Sequence, residues 1–530
     1  MKNIIKYRYG LFSALLLHLL MFLTGYVQED AFISFKVGFN LADYGVYSNN
    51  VNEFYSGATS LLYGHYIALI RILFGINSLF IIRILNIFYC LFSSFLLTEA
   101  VSHFNLKNNK LNFNVLFFVI AANPAILKIS GSGMETSLLL FFMSLFIFSV
   151  TRNFRYLTYF SLFILPFIRV DSIAFSFIGI FFVIFYDLRL SIYLFLSLFS
   201  GVVSYLFLNK LFTNSYLPVT IIAKKITLIK SDITFNIFNK IIWKTFFSES
   251  YFLGIYTRYL PMLFYGLSFF IFFGFVIFVS KKIFNDITFE YKDITFKNLI
   301  KAIVKRHFVN FVLLFSTIFI PISYAIGGVI YPWYLWPFSV FVYTFFVCNL
   351  IPYKKISNTL LYLTALFSCL GLMIQMNIAK QDTGFRASIG RYINSNSNEN
   401  QTLLLEPAGV IPYYADCNVV DVVGLSSGRI IDFHKRDKHN WWLNYVMTDS
   451  PDFILDRGPV HEGISIDGKK KLSYSELIWF NSNYELLKEF IYKDYIDNTP
   501  SFFTPILKLG SSTNFYLYKK RKNSKKKESI

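Results

Sequence analysis

The chain has 530 residues, of which 55% are hydrophobic and only 15% are charged, and its formal net charge is +19 at pH 7. A single soluble domain does not need so much apolar surface, so this composition indicates a membrane protein with several spans. The positive charge does not indicate nucleic-acid binding. Much of it lies in short loops beside apolar stretches, where it orients a protein against anionic lipid.

The apolar stretches of the chain predict eleven membrane spans. These are residues 10–27, 79–99, 112–129, 136–150, 156–170, 172–187, 190–211, 259–280, 308–328, 333–351 and 357–377. A twelfth stretch, 57–76, contains Arg71, and a central Arg costs about 2.5–3.5 kcal/mol on insertion scales. Counting it as a span would place the strongly basic loop 281–307 outside, against the positive-inside rule. We therefore predict that residues 57–76 form a helix lying on the outer membrane surface.

The residues after the last predicted span have the pattern of a small α/β domain. The runs "TLLLE", "NVVDVV", "DFILD" and "NFYLY" are typical of strands, and turn signals separate them. We predict a membrane domain over residues 1–379, an extracytoplasmic α/β domain over 380–518 and a basic tail over 519–530. The fold class is thus a polytopic α-helical membrane protein with a small C-terminal α/β domain.

Charged residues collect on the predicted outer face. Glu29 and Asp30 directly follow the first apolar stretch, and a carboxylate in this position can deprotonate the hydroxyl group of an acceptor. If the leaving group is a lipid phosphate, Arg or Lys is needed to bind its charge. Candidates for this role are Lys36, Arg169, Lys224 and Lys225. Position alone leaves open a solvated loop for the acids and interfacial anchoring for the bases.

Seven motifs occur in order between residue 29 and about residue 427. They are "EDAFISFKVGFNLADYGVYSN", "GATSLLYG", "NPAILKISGSGMETSLLLF", "FIRVDS", "NSYLPVTIIAKK", "YPWYLWP" and "EPAGVIPYYADCNVVDVVGLSS". In this order they resemble the motifs of GT-C glycosyltransferases, specifically the branch of the mycobacterial terminal arabinofuranosyltransferases. Glu29 stands where the family more often has Asp, Lys36 where it has Arg and Val170 where it has Pro. Lys36 cannot offer the bidentate fork of an arginine to a phosphate.

The resemblance implies a GT-C fold with about eleven transmembrane helices and with interfacial helices in the first outer loop, residues 28–78. It implies an inverting transfer from a polyprenyl-phosphate-linked sugar to a cell-envelope glycan, lipid or protein. The reaction would take place on the outer face of a bacterial cytoplasmic (inner) membrane, with the N-terminus in the cytoplasm and the C-terminal domain in the periplasm. Membrane lipids are then the remaining partners, and no nucleic acid is expected.

The resemblance also implies roles for individual residues. Asp30 is expected to be the general base, and Glu29 to assist by binding a sugar hydroxyl or a divalent cation, which is the only cofactor considered. The donor phosphate is expected to be bound by Arg169, Lys224 and Lys36. The sugar is expected to contact Glu135, Asp171, Trp333 and Tyr334.

Several alternatives stay open. Glu135 also fits a cap of the following helix, and "YPWYLWP" also fits an aromatic belt at the membrane interface. An O-antigen ligase or polymerase would handle similar lipid-linked glycans, but an acidic first loop and a terminal soluble domain argue against it. A flippase or transporter for lipid-linked sugars would carry charges near the middle of the bilayer. Here the charges concentrate at one interface.

Overall fold

The computed structural model describes residues 7–105, 113–227, 274, 276–281, 295–326, 332–498 and 513–521. Most of the predicted span 259–280 lies outside these residues, as do parts of the loop 281–307 and of the tail 519–530. The helices described before the C-terminal region are α1 (Arg8–Leu23), α2 (Glu29–Tyr44), α3 (Leu61–Phe74), α4 (Ser78–Asn105), α5 (Phe113–Ala121), α6 (Pro124–Gly131), α7 (Thr136–Thr151), α8 (Arg155–Ile168), α9 (Ser172–Ile184), α10 (Leu188–Thr213), α11 (Val219–Thr227), α12 (Phe296–Arg306), α13 (Phe308–Ile326), α14 (Trp336–Leu350) and α15 (Lys354–Ala379).

The C-terminal region mixes helices and strands. A π-helical turn, Lys380–Arg386, leads into helix α16 (Ala387–Asn394). The later helices are α17 (Val410–Ala415), α18 (Arg429–Arg436), α19 (Trp441–Asp449), α20 (Tyr474–Asn483) and α21 (Tyr492–Asp497). The strands are β1 (Thr402–Leu405), β2 (Asn418–Asp421), β3 (Phe453–Asp456), β4 (Ile464–Ser465), β5 (Lys470–Lys471), β6 (Tyr484–Phe490) and β7 (Phe515–Lys520).

Internal contacts divide the chain into two compact units, each made of separate segments. The helical unit comprises Met1–Tyr26, Leu79–Leu206 and Ser231–Met376. The mixed unit comprises Val27–Ser78, Phe207–Lys230 and Asn377–Ile530. Residues 28–78 were predicted to belong to the same domain as the spans. In the structure their contacts group them with the C-terminal residues.

The structure contains helices suited to a membrane. Among the described residues, three stretches are long and apolar enough to cross one, namely Leu61–His103, Leu188–Thr213 and Lys355–Asn394, and two bent helix pairs raise the number to five if each is one broken span. Several other predicted spans are apolar helices of only 13–16 residues. A 14-residue helix is about 21 Å long and falls short of a hydrocarbon core of about 30 Å.

The stretch Leu61–His103 has 43 residues, and a straight helix of that length would measure about 65 Å, twice the thickness of the core. It is interrupted after α3, where Gly75 adopts φ +54°. Within α3 the apolar side chains of Leu69, Ile72 and Leu73 are exposed. Exposed apolar side chains suit contact with lipid both at the membrane surface and within it, so the surface helix at 57–76 stays a prediction.

One predicted span in the helical unit is broken. Helices α5 and α6 meet at an angle of 53°, because Asn123 caps the second helix and Pro124 is its first residue. The break frees backbone carbonyl groups that need donors. The ring of His18 lies 3.1 Å from the carbonyl oxygen of Ala121, and the Ser368 hydroxyl donates to the carbonyl oxygen of Ala122. The buried His18 therefore has a structural explanation.

The mixed unit is built on a five-stranded sheet with the order β2-β1-β3-β7-β6. Strands β1, β2 and β3 are parallel, whereas β7 runs antiparallel to β3 and β6. The four strands predicted from "TLLLE", "NVVDVV", "DFILD" and "NFYLY" are confirmed as β1, β2, β3 and β7. Alternate residues belong to different apolar clusters, Leu404 to one and Leu403 and Leu405 to the other. Both faces of the sheet are therefore covered.

Candidate active site

The two adjacent acids lie at the start of helix α2 in the mixed unit. Gln28 precedes the helix in an extended conformation (φ −69°, ψ 142°), and Glu29 and Asp30 occupy its first turn. Carboxylates are favoured in this position because the first N–H groups of a helix carry partial positive charge. Both side chains are partly exposed.

Glu29 is held by donors from distant parts of the sequence. The Arg386 guanidinium donates from Nη1 to Glu29 Oε2 at 2.5 Å. The backbone N–H groups of Gly409 and Val410 donate to Glu29 Oε1 at 3.2 and 2.9 Å. Each carboxylate oxygen therefore accepts at least one hydrogen bond from the C-terminal region. The sequence analysis did not identify Arg386, and it quoted Gly409 only as part of a motif.

The same face of α2 continues this contact. The Phe32 and Phe39 rings lie 5.1 and 5.9 Å from the Tyr413 ring. The Lys36 ammonium donates to the carbonyl oxygen of Pro412 at 3.3 Å. Burial lowers the pKa of Lys36, against the opposing effect of nearby acids such as Asp416. Lys36 thus lies against α17, and its predicted role at a donor phosphate stays a prediction.

The segment between α2 and α3 also pairs with strand β2. Asn50 Oδ1 accepts from the Val419 N–H, and Asn50 Nδ2 donates to the Val419 carbonyl oxygen, both at 2.9 Å. Farther along, the Tyr55 hydroxyl donates to the Gly424 carbonyl oxygen at 2.8 Å. Asn50 is only 4% exposed, and buried polar groups need hydrogen-bond partners. Its side-chain amide forms the pair of hydrogen bonds with the backbone of β2 that a neighbouring strand would form.

A second charged group lies in the helical unit, at the ends of α8 and α13. Arg169 Nε donates to Asp171 Oδ1 at 3.1 Å, and Arg169 Nη2 donates to the other oxygen of Asp171 and to the Tyr324 hydroxyl at 3.2 Å. Arg169 Nη1 lies 4.0 Å from Glu135 Oε1 and makes no hydrogen bond within the described residues. The guanidinium carbon is 4.7 Å from the centre of the Tyr334 ring.

The structure therefore brings together four residues that the sequence analysis predicted to contact donor or sugar: Glu135, Arg169, Asp171 and Tyr334. The Trp333 ring packs edge-on against Tyr334, with their centres 6.2 Å apart. Tyr324 was missed, because one tyrosine in an apolar run carries no signal of its own. The predicted alternative for Glu135, a cap of the following helix, has no side-chain hydrogen bond to support it.

Lys224 lies on the short helix α11 of the mixed unit. Ala223 is fully buried in the cluster that covers one face of the sheet, and the Thr227 hydroxyl lies 3.4 Å from the Val423 carbonyl oxygen. Lys224 itself is partly buried, and the next residue, Lys225, is exposed. The contacts of α11 thus fix the position of Lys224 on the mixed unit.

The carboxyl ends of β1 and β3 carry a further ionic cluster. Arg457 contacts Asp467 through its Nε and Glu406 through its Nη1, the latter at 3.5 Å. Asp456 accepts from the Ser465 hydroxyl at 2.6 Å and from the Gly458 N–H at 2.7 Å. Burial, and then the charge of Asp456, raise the pKa of the Asp467 carboxyl to about 8. These bonds order the loop that follows β3.

A divalent cation needs several oxygen, nitrogen or sulfur ligands around one point. Within the described residues, no group of three or more His, Cys, Asp or Glu side chains is suited to hold a metal ion. If a cation binds at Glu29 and Asp30, as predicted, these two carboxylates are the His, Cys, Asp or Glu ligands that the described residues offer it. One of them already accepts hydrogen bonds from Arg386 and from the backbone.

Comparison with known proteins covers only the C-terminal part. Residues 375–518 match a family described as Domain of unknown function (DUF8728). No curated protein matches the chain. The matched segment contains strands β1 to β6 and the first four residues of β7, together with Arg386 and the Glu29-binding segment at 409–410.

Proposed function

We propose that the protein is an inverting glycosyltransferase of the GT-C class, which moves a sugar from a polyprenyl-phosphate-linked donor to a cell-envelope acceptor. The acceptor is a glycan, a lipid or a protein at the outer face of a bacterial cytoplasmic membrane. The observation that carries the proposal is the start of α2, where two adjacent carboxylates follow the first apolar helix in a motif that resembles this family. The seven ordered motifs support it.

Asp30 is the general base in this proposal. It takes the proton of the acceptor hydroxyl while the acceptor oxygen forms a bond to the anomeric carbon. The bond between that carbon and the phosphate oxygen breaks, and the polyprenyl phosphate leaves as an anion. Since the leaving group is already a stable anion, no strong general acid is needed. A glycosidase, by contrast, needs two carboxylates.

Arg169 and Lys224 are proposed to bind the donor phosphate. Arg169 Nη1 makes no hydrogen bond within the described residues, whereas Nε and Nη2 are bonded to Asp171 and Tyr324, so Nη1 is the nitrogen proposed to donate to a phosphate oxygen. Glu135 and Tyr334 adjoin the same guanidinium and are proposed to contact the sugar, together with Asp171 and Trp333. Lys224 is proposed for the same role because of its place in the motif "NSYLPVTIIAKK".

The proposed topology has about eleven spans, with the N-terminus in the cytoplasm and the C-terminal domain outside. Single cysteines placed in the basic loop 281–307 should be protected from a membrane-impermeant maleimide in intact cells. Cysteines at exposed positions of α20, such as Tyr474, should react. Labelling of 281–307 from outside would refute this topology.

The function is tested by mass spectrometry of the cell-surface glycans of strains with and without the gene. The proposal expects loss of one specific sugar residue and accumulation of its lipid-linked donor. The purified protein should then transfer that sugar from the extracted lipid fraction to the glycan of the deletion strain. A flippase would instead change the side of the membrane on which the lipid-linked sugar is found, without any transfer by the purified protein.

A further inference from the structure

The carboxylate of Glu29 is surrounded by hydrogen-bond donors from the C-terminal region. The Glu29 carboxylate accepts hydrogen bonds from Arg386, Gly409 and Val410, which follow it in the sequence by 357, 380 and 381 positions. Its side chain is only 14% exposed. A sugar hydroxyl or a cation would have to compete with a charge-assisted bond and two backbone donors for these oxygens.

The fit around Glu29 includes the backbone. A Cβ atom added to Gly409 would lie 2.1 Å from the Glu29 carbonyl oxygen, so the segment before α17 approaches the first turn of α2 as closely as only glycine allows. Two features therefore fix this contact. Three donors hold the Glu29 side chain, and the absence of a Cβ atom in Gly409 lets the two backbones approach.

The contact extends along one face of α2. Phe32, Lys36 and Phe39 follow Glu29 by three, seven and ten positions, which is the spacing of one helix face, and each of them contacts α17. Asp30 is the next residue along the chain and is therefore rotated by about 100° from Glu29 around the helix axis. The contacts of the face that carries Glu29 fix the rotation of α2 about its axis. This rotation in turn sets the direction in which the Asp30 side chain leaves the helix.

We infer that Glu29 is a positioning residue, which, together with Arg386 and the backbone of Gly409 and Val410, fixes the first turn of α2 and thereby the Asp30 carboxylate, without binding substrate itself. This inference rests on the proposed function, because it assigns Asp30 as the base. A general base must lie within hydrogen-bond reach of the proton it takes, and a misplacement of about 1 Å can cost about a hundredfold in rate. The pairing of Arg386 with Glu29 thus gives the C-terminal region a role in catalysis through the position of Asp30.

The test is a double-mutant cycle in the full-length protein, with lipid-linked sugars extracted from native membranes as donor. Glu29→Gln and Arg386→Gln should each lower kcat by roughly ten- to a hundredfold and leave the donor KM within about twofold. The double variant should be no more than about threefold slower than Glu29→Gln, because both changes break one contact. Arg391→Gln is the matched control. Arg391 lies over the Tyr414 ring, and this variant should keep wild-type activity.

Losses that multiply in the double variant would overturn the inference, and so would a rise in donor KM confined to Glu29→Gln. Hydrogen exchange supplies a measurement that does not depend on activity. In Glu29→Ala, peptides spanning residues 406–413 should exchange faster, since the Gly409 and Val410 amides lose their acceptor. Unchanged exchange would also overturn it. An inactive wild-type protein would refute the proposed function and the base-positioning role, while the exchange data would still report whether Glu29 holds this segment.

Discussion

The Glu29 carboxylate and the Arg386 guanidinium are joined at 2.5 Å, although 357 positions separate them in the sequence. Almost all of the helical unit is encoded between them. Residues 27–78 and the C-terminal residues therefore fold as one unit, and neither segment has its full set of hydrogen-bond partners without the other. Breaking such a pair by removing one partner leaves a partly buried charge without compensation, which is costly.

Gly409 tests the close approach at this contact. In Gly409→Ala the new Cβ atom would meet the Glu29 carbonyl oxygen at 2.1 Å, so the backbone must shift. We expect a loss of about 1–3 kcal/mol in the free energy of unfolding, seen as a lower Tm of the detergent-purified protein. Gly371→Ala is the control, because its Cβ atom would meet nothing closer than 3.8 Å. Equal Tm values for the two variants would contradict the close approach.

Asn50 tests the attachment of the loop to the sheet. Asn50→Ala removes both hydrogen bonds to Val419 and leaves the buried Val419 N–H without its acceptor, whereas the Val419 carbonyl oxygen keeps the Ser426 hydroxyl at 3.2 Å. The expected cost is about 1–3 kcal/mol of stability, measured by the Tm and by faster hydrogen exchange in β2. Asn52, two positions away, is exposed, so that Asn52→Ala should have no effect. If both variants behave alike, the amide does not hold the strand.

The buried carboxyl of Asp467 should make the stability of the protein depend on pH. Burial, and then the charge of Asp456, raise its pKa to about 8, whereas an unfolded Asp titrates near pH 3.9. Between these values the folded state binds the extra proton, so this group's contribution to stability is complete below about pH 4 and is lost as the pH rises through about 8.

Asp467→Asn should therefore weaken the fall in Tm between pH 5 and pH 8.5, whereas the exposed control Asp449→Asn should leave it unchanged. Three tryptophans, including the buried Trp441 and Trp442, report this region by fluorescence. A steeper fall in Asp467→Asn than in the wild-type protein would contradict the assignment.

Substitution of Lys224 tests whether this residue binds the donor phosphate. Lys224→Ala should raise the KM for the lipid-linked donor by about tenfold or more and leave kcat nearly unchanged, if the contact is equally strong in the ground and transition states. Lys210→Ala is the control, because its ammonium donates to the Asn214 carbonyl oxygen on the surface. Arg169→Ala should raise the same KM but also destabilise the protein, because Glu135 and Asp171 would lose their cation. A normal donor KM in Lys224→Ala would refute its role.

Local patterns in the sequence predicted part of this structure. Short runs of β-branched and aromatic residues between turn signals correctly predicted β1, β2, β3 and β7, because their side chains alternate between two buried faces. The strand β6 and the hairpin of β4 and β5 were not predicted. Polar residues interrupt β6, and each strand of the hairpin has only two residues.

Most of the contacts in the candidate site could not be predicted from a single sequence. The spacing of the acids at the end of an apolar run pointed to residues 29 and 30, but nothing local indicates that Arg386 pairs with Glu29. The same holds for Tyr324 beside Arg169. Such pairs are set by the packing of the whole chain. The number of eleven spans stays a prediction, because apolar content alone does not fix whether each helix is long enough to cross a bilayer.

The most direct test of the central claim is the rate of sugar transfer by purified Asp30→Asn. This change keeps the size and hydrogen-bonding capacity of the side chain but removes its ability to take a proton. General bases typically contribute about 10²–10⁴-fold, so the variant should lose at least about a hundredfold in turnover, with donor binding and Tm unchanged. Transfer at more than about a tenth of the wild-type rate would contradict the assignment of Asp30 as the base.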